Sequence, residues 1–556
     1  MLPWFLAALT LAGVVLTAFP LGRHLWQVFD DRPQPAWDPW LLPIETTLLR
    51  WVGDRGQPAA SAWGYLQPLL LANACFALVA FLLLAFQPAW LNPLGWPGLR
   101  WDLALHTTIS FLTNTDQQHL IPEQTLGNLA QLGAIQFLMY VSAASGLAAG
   151  FAVIRGLCGL PLGNFHRQLI RSLTRVLLPG SVLLGLLFLL SGVPMTLADP
   201  LPITTLEGGR QLLIRGPVAL FEGIKQLGEN GGGFYGSNSA HPFENPTGFT
   251  NLLASWAMLV IPAASIDAFG RFLGNRRQSN WLLALVTALL LVGVAVAMAA
   301  EHGGNPALAR WIAGANLEGK ELRFGAELTG FWAALTTGSM TGAVNGAIDS
   351  LMPLSTLVTL FNLFLQVVFG GQGTGIAYLL VFMVLAVFLT GLMVGRTPEF
   401  LGRKVEKPQV VWSSLVLLIH PIFVLLPGAF TLAAASTLAG ISNPGSHGIS
   451  QVIYEFASAA ANNGSGMEGL ADGTPWWNLS TSLSLLGGRY LPIAALLLLA
   501  DGYARKPALP PGPGTLRTDT ALFTGVLAVV LVILGALTFF PVLALGPIAE
   551  ALSLAR

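Results

Sequence analysis

The chain has 556 residues, 54% of them hydrophobic and only 10% charged, with 27 basic and 27 acidic side chains. Ordinary soluble domains carry about 25% charged residues, and a soluble core cannot absorb this much apolar surface, so the composition points to a membrane. Zero net charge argues against a nucleic-acid partner, and two isolated cysteines, Cys75 and Cys158, argue against a disulfide framework or a metal site.

A helix that crosses the hydrocarbon layer needs about 20 apolar residues. The sequence predicts about ten such spans, over residues 3–21, 63–86, 129–154, 176–196, 248–269, 281–300, 374–395, 409–432, 477–500 and 520–545. Residues 1–22 lack the basic start and small-residue cleavage pattern of a secretory signal and are read as a first anchor. Arg155, Arg167, Arg171 and Arg175 follow the third span, and Arg271, Arg276 and Arg277 follow the fifth. Arg396, Arg403, Lys404 and Lys407 follow the seventh, and Arg505, Lys506 and Arg517 follow the ninth. Short basic connections stay on the cytoplasmic side, so the alternate connections face outside. The first connection, 22–60, is charge-balanced and does not orient the chain.

Each outward connection contains a moderately apolar segment, at 102–111, 216–228, 326–336 and 449–460. These are too short to span and fit re-entrant helices. Each leads into a stretch of small and polar residues: Ser110–Thr115, Glu229–Phe234, Thr336–Gly342 and Ala461–Gly466. Irregular backbone at membrane depth is tolerated where it lines a cavity or is buried in protein. The sequence therefore predicts an all-α integral membrane fold, one transmembrane domain over 1–556. Four pseudo-symmetric units of helix, pore helix, filter loop and helix surround a central pore, near 63–154, 176–269, 281–395 and 409–500. Segments 3–21 and 520–545 are additional helices. The third unit departs from the others, because 350–395 has no charged residue and contains Gly370, Gly371, Gly373 and Gly375. So many glycines predict a helix broken inside the membrane, either as a gate or lateral route or as a structural kink.

Four converging loops of this composition suit a desolvated monovalent cation. Carbonyls and hydroxyls replace its water without the grip of a carboxylate cluster. In these stretches Gly231, Gly232, Gly233, Gly342 and Gly464 permit positive φ and close backbone approach, and Thr113, Thr115, Asn230, Thr341, Asn463 and Ser465 offer side-chain oxygens or brace the loops. Asp116 and Glu229 are read as a mildly negative mouth. Arg489 lies near the middle of an apolar span, where an arginine costs about 2.5–3.5 kcal/mol to insert. It is read either as a fixed positive charge beneath the filter or as a structural bond to helix-end carbonyls. Gly314–Lys320 matches a phosphate loop up to Glu321, and Gly231–Gly236 formally satisfies a dinucleotide pattern without the strand it needs. Both are set aside. His106 and His420 are read as satisfied buried groups.

Asn230–Phe234, Asn238–Thr247, Asn316–Gly325, Gly395–Gly402 and Ser458–Ser465 together resemble the potassium-binding A subunit of the Kdp potassium-transporting P-type ATPase, over essentially the whole chain. The resemblance implies descent from the superfamily of potassium transporters and a bacterial inner-membrane location. It implies K+ as the transported ion, held at a filter of Thr113, Asn114, Thr115, Asn230, Gly231, Gly232, Thr341, Gly342, Ala343, Asn463, Gly464 and Ser465, and no nucleotide bound by this chain. It implies partners as well: an ATP-hydrolysing B subunit, a C subunit and a small single-helix F subunit, besides membrane lipid. In such a complex this subunit carries no catalytic residue and hands the ion sideways to the ATPase, with Arg489 and Phe369–Gly375 on that path. Thr341 stands where relatives often have Cys, and Gln366 stands where some have an acid.

Overall fold

The computed structural model describes residues 1–556 apart from 31, 35, 89–91, 93–94, 199, 312–313, 396, 511–515, 556 and the side chain of 536. Arg396, used above to orient the seventh connection, lies outside the described residues. Among the described residues, ten helices are long and apolar enough to cross a membrane, beginning with Leu2–Phe29 and ending with Leu537–Leu554. The last is the outer part of a longer run that starts at Ala521 and continues through a π-helical turn at Ala544–Ile548.

The four short segments form helices at Trp101–Leu112, Val218–Leu227, Gly325–Gly338 and Ser446–Ala461. Each sits between two long helices. Ala62–Phe86 and the helix ending at Leu157 flank the first, and Phe165–Leu190 and Gly248–Leu273 flank the second. Lys407–Ala433 and Pro475–Ala504 flank the fourth. The third follows Arg276–Gly303 and precedes two helices, Pro353–Leu365 and Thr374–Met393. Between these two, Gln366, Phe369, Gly370 and Gly373 all have positive φ, which no α-helix accommodates. Leu2–Phe29 packs along Gly248–Leu273, with Trp256 Nε1 donating to Thr17 Oγ1 at 3.0 Å.

The basic connections share one end of the molecule. Ala59 N donates to Gly163 O, Arg505 Nη2 to Ala60 O, Arg403 Nε to Lys506 O and Thr518 Oγ1 to Gln278 Oε1. These bonds tie the first, third, fifth, seventh and ninth connections together, as one membrane face requires. Two elements at the ends of spans had no counterpart in the sequence reading. One is a helix at Asp38–Trp51, whose buried Glu45 pairs with Arg175. The other is an antiparallel hairpin of Leu201–Thr204 with Arg210–Leu213. Cys75 and Cys158 are free.

Candidate functional site

The four re-entrant helices end at one place, and the loops that leave them repeat one backbone conformation. Positive φ recurs two residues apart in each: Asn114 and Asp116, Glu229 and Gly231, Met340 and Gly342, Asn462 and Gly464. One residue lies between each pair, namely Thr115, Asn230, Thr341 and Asn463. Its N–H reaches back five residues to a carbonyl in the last turn of the helix, Ser110, Lys225, Thr336 or Ser458. This fixes the register. In the first loop Thr115, Asp116 and Gln117 stand level with Asn230–Gly232, Thr341–Ala343 and Asn463–Ser465, while Thr113 and Asn114 lie a step earlier on the path.

The loops close into a ring in chain order. A side-chain carbon on Gly231 would overlap the Thr341 carbonyl oxygen, one on Gly342 that of Asn463, and one on Gly464 that of Thr115. Glycine is required at these three places both by the positive φ and by this approach. Cross-loop hydrogen bonds complete the circuit. Asn114 Nδ2 donates to Gly228 O and Glu229 O at 3.1 and 2.8 Å, joining the first loop to the second. Asn238 Nδ2 holds Gly231 O at 2.7 Å, and Asn238 Oδ1 accepts from Val344 N, which joins the second to the third. Asn463 Nδ2 donates to Thr336 O at 2.9 Å, and Asn462 Nδ2 to Thr115 Oγ1 at 3.0 Å. Trp332 Nε1 and Tyr454 OH brace Ala343 O and Ser465 Oγ from behind.

Thr115, Asn230, Thr341 and Asn463 are fully buried. Among the described residues, no hydrogen bond reaches any of their four backbone carbonyl oxygens. Buried carbonyls are almost always paired, and four unpaired at equivalent positions of the four loops leave open acceptors around the ring. The helix ends behind them add partial negative charge. Such a ring can replace the hydration of a cation.

Behind the second loop lies a buried ion network. Lys225 Nζ donates to Glu222 Oε1, Ser239 Oγ and Glu244 Oε2 at 2.9, 2.8 and 2.5 Å, using all three of its donors. Glu244 Oε1 accepts from Tyr235 N and Glu222 Oε2 from Gln226 Nε2. Glu229 differs, because it is buried and neither carboxylate oxygen has a hydrogen-bond partner among the described residues. It is therefore no solvent-facing mouth group.

Below the ring, Ser142 Oγ donates to Asn114 Oδ1 at 2.9 Å, and the Ser142 carbonyl accepts from Arg489 Nη2 at 3.4 Å. Arg489 thus lies one residue from the loops, 5% exposed. The broken helix meets it there. Gly370 N donates to Gly338 O at 2.8 Å and Gln372 Nε2 to Leu227 O at 3.2 Å, seating the break under the second and third re-entrant helices. Gly373 packs directly on Gly146, where a side-chain carbon would strike Gly146 O. Gly371 and Gly375 flank the same turn. Gln366 caps Pro353–Leu365 with φ 57° and borders a cavity of about 380 Å³ lined also by Tyr378, Phe382, His420 and Phe539. Lys320 of the discarded phosphate motif is used up on Ser350 O and Glu301.

Sequence reasoning missed the bracing groups Ser142, Asn238, Trp332, Tyr454 and Asn462. Asn238 opens the polar run Asn238–Thr247, one of the stretches that carry the family resemblance, which could have marked it; the others look like ordinary helix or cap residues. The model of the family described as potassium-transporting ATPase A subunit matches residues 8–552. The chain is 56% identical over 551 residues to the potassium-transporting ATPase potassium-binding subunit of a Synechocystis species, covering 98% of each chain. It is 44% identical over 553 residues to the protein of the same name from Alicyclobacillus acidocaldarius, again covering 98% of each. Its fold is similar to the crystal structure of the potassium transporter TrkH from Vibrio parahaemolyticus, with a TM-score of 0.54 and 14% identity, covering 90% of this chain and 98% of that one.

Proposed function

Because the chain belongs to the family of potassium-transporting ATPase A subunits, a multi-pass membrane subunit serving potassium transport, we propose that the ring of four loops is its potassium filter. The observation that carries this reading is the set of unpaired, buried carbonyls of Thr115, Asn230, Thr341 and Asn463. Potassium entering from outside sheds water onto these oxygens and the neighbouring hydroxyls of Thr113, Thr341 and Ser465. The carbonyl ends of four helices favour the cation.

Arg489 is the opposing charge. Its guanidinium, held by the Ser142 carbonyl, limits how many ions occupy the space below the ring. The break at Gly370–Gly375 turns the path off the axis, toward the cavity beside Gln366 and Tyr378. An ATP-hydrolysing B subunit receives the ion there, and C and F subunits complete a complex in the bacterial inner membrane. The test is potassium uptake at scarce external potassium, in cells stripped of their own uptake systems. Uptake should need the ATPase partner and stop when that partner cannot be phosphorylated. Uptake by this chain alone would mean a self-sufficient channel or symporter.

A further inference from the structure

The outer end of the protein holds a cluster of ligating side chains that the ion path leaves unused. His119 lies on the chain just beyond the first loop, Glu455 in the fourth re-entrant helix, and Asp472 in the connection before Pro475–Ala504. His119 Nε2 is 3.1 Å from Glu455 Oε1 and 4.0 Å from Asp472 Oδ2. All three ligand atoms lie within 4.8 Å of one another.

The surroundings fix which nitrogen faces the carboxylates. Asn478 Nδ2 donates to Asp102 Oδ2 at 2.9 Å, and Asp102 is itself paired with Arg100. The Asn478 oxygen is therefore the atom that meets His119 Nδ1 at 2.7 Å, so Nδ1 carries a proton and donates it. Metal-binding histidines are commonly anchored in this way, through a hydrogen bond from the nitrogen that does not bind. Glu455 is engaged from a second side as well. Gln117 Nε2 donates to Glu455 Oε1 at 2.6 Å, and the side chain of Gln117 also lies against the ring of His106. His106, buried and stacked on His119 at 3.8 Å, closes the cluster on that side.

Charge and geometry select the ion. Two carboxylates and a neutral imidazole carry two negative charges, which one divalent cation cancels. Tetrahedral bonds of about 2.0–2.1 Å place ligands about 3.4 Å apart, between the two separations here. Magnesium and calcium prefer six or more oxygens. The Asp472 side chain, 30% exposed, leaves a way in from outside. We infer that His119, Glu455 and Asp472 form a zinc-class divalent cation site with a fourth position open to water. An ion there would clamp the fourth re-entrant helix to the chain leaving the first loop. The inference does not depend on the filter.

The full chain, purified without a polyhistidine tag and stripped with a chelator, is dialysed against zinc chloride in potassium buffer, and bound metal is counted by mass spectrometry. The expected result is one zinc per chain, lost in Asp472→Asn and in His119→Gln. Zinc should also raise the melting temperature of the wild type and not that of Asp472→Asn. Asp472 is partly exposed, so its variant keeps the test decisive if His119→Gln misfolds. A wild-type chain that takes up no zinc, or an Asp472→Asn chain that takes up as much, overturns the site; in either case His119 is an imidazolium paired to its two carboxylates.

Discussion

Replacing Lys225 by Met removes the one positive charge that holds two fully buried carboxylates, Glu222 and Glu244, and leaves a side chain of similar length. Breaking a buried ion pair from one side costs about 3–5 kcal/mol, since the abandoned charge stays buried. The cost falls on the second loop, because the Lys225 carbonyl accepts from Asn230 N and Gly231 N at 3.0 and 3.4 Å. At about 1.4 kcal/mol per factor of ten, ordering this loop should become at least about 100-fold less favourable. Potassium binding to the detergent-solubilised complex, measured calorimetrically, should weaken accordingly and the melting temperature should fall. Neutralising the partners tests the cause. In Lys225→Met with Glu222→Gln and Glu244→Gln, the bonds to Gln226 and Tyr235 can persist while no buried charge remains, so affinity should largely return. A single variant within about twofold of wild type, or a triple variant no better than the single, would refute the electrostatic reasoning.

Gly464→Ala should abolish discrimination of potassium over sodium while leaving the chain folded, because the new methyl group displaces the Thr115 carbonyl at a φ of 103°; Gly395→Ala, with φ of 69° and nothing within 4 Å, is the control, and equal selectivity in both would contradict the ring. Arg489→Gln should change ion occupancy or transport rate without loss of assembly, read by isotope uptake and by co-purification of the partner subunits; failure to assemble would make Arg489 structural. His447, hydrogen-bonded to Asp349 and Glu550 and opposed only by partial burial, is pushed up to about 10. A histidine raised in the folded state stabilises fully below its unfolded value of about 6.5 and loses that contribution as pH climbs through the folded one. The melting-temperature gap between wild type and His447→Gln should thus be widest near pH 6 and close by about pH 10, and a gap that widens with pH would contradict the ion pairs.

The parts of this structure that obey local rules were readable from the sequence. Span length, the four short apolar segments and the charge-free run with its glycines each reflect one stretch of chain. The re-entrant helix expected at 326–336 lies within Gly325–Gly338, and the break expected near Phe369–Gly375 falls between Leu365 and Thr374. The register of the first loop was not readable. Thr113-Asn-Thr115 offers two equivalent threonines, and its left-handed places are taken by Asn114 and Asp116 with no glycine to mark them. The choice comes from the reach of Thr115 N back to Ser110 O. Glu229 was misread because sequence shows that an acid is near a loop but not that its carboxylate is sealed from water. The Leu201–Leu213 hairpin had a signal, Gly208-Gly209 between two β-capable runs, which hydropathy alone passes over. His106 was expected to be a satisfied buried group, and it is stacked on His119 with the side chain of Gln117 beside its ring.

The four corners of the ring are built from one chain but braced unequally: an asparagine amide at each junction, from a different place in its loop, a tryptophan behind the third loop and a tyrosine behind the fourth. In a symmetric assembly of identical subunits every substitution is imposed four times at once, so most changes near the ion are lethal or silent. Here a single codon alters a single corner. Affinity and selectivity can be graded in quarter steps, and the corner nearest the Lys225 network can drift in charge while the other three hold the ion in place.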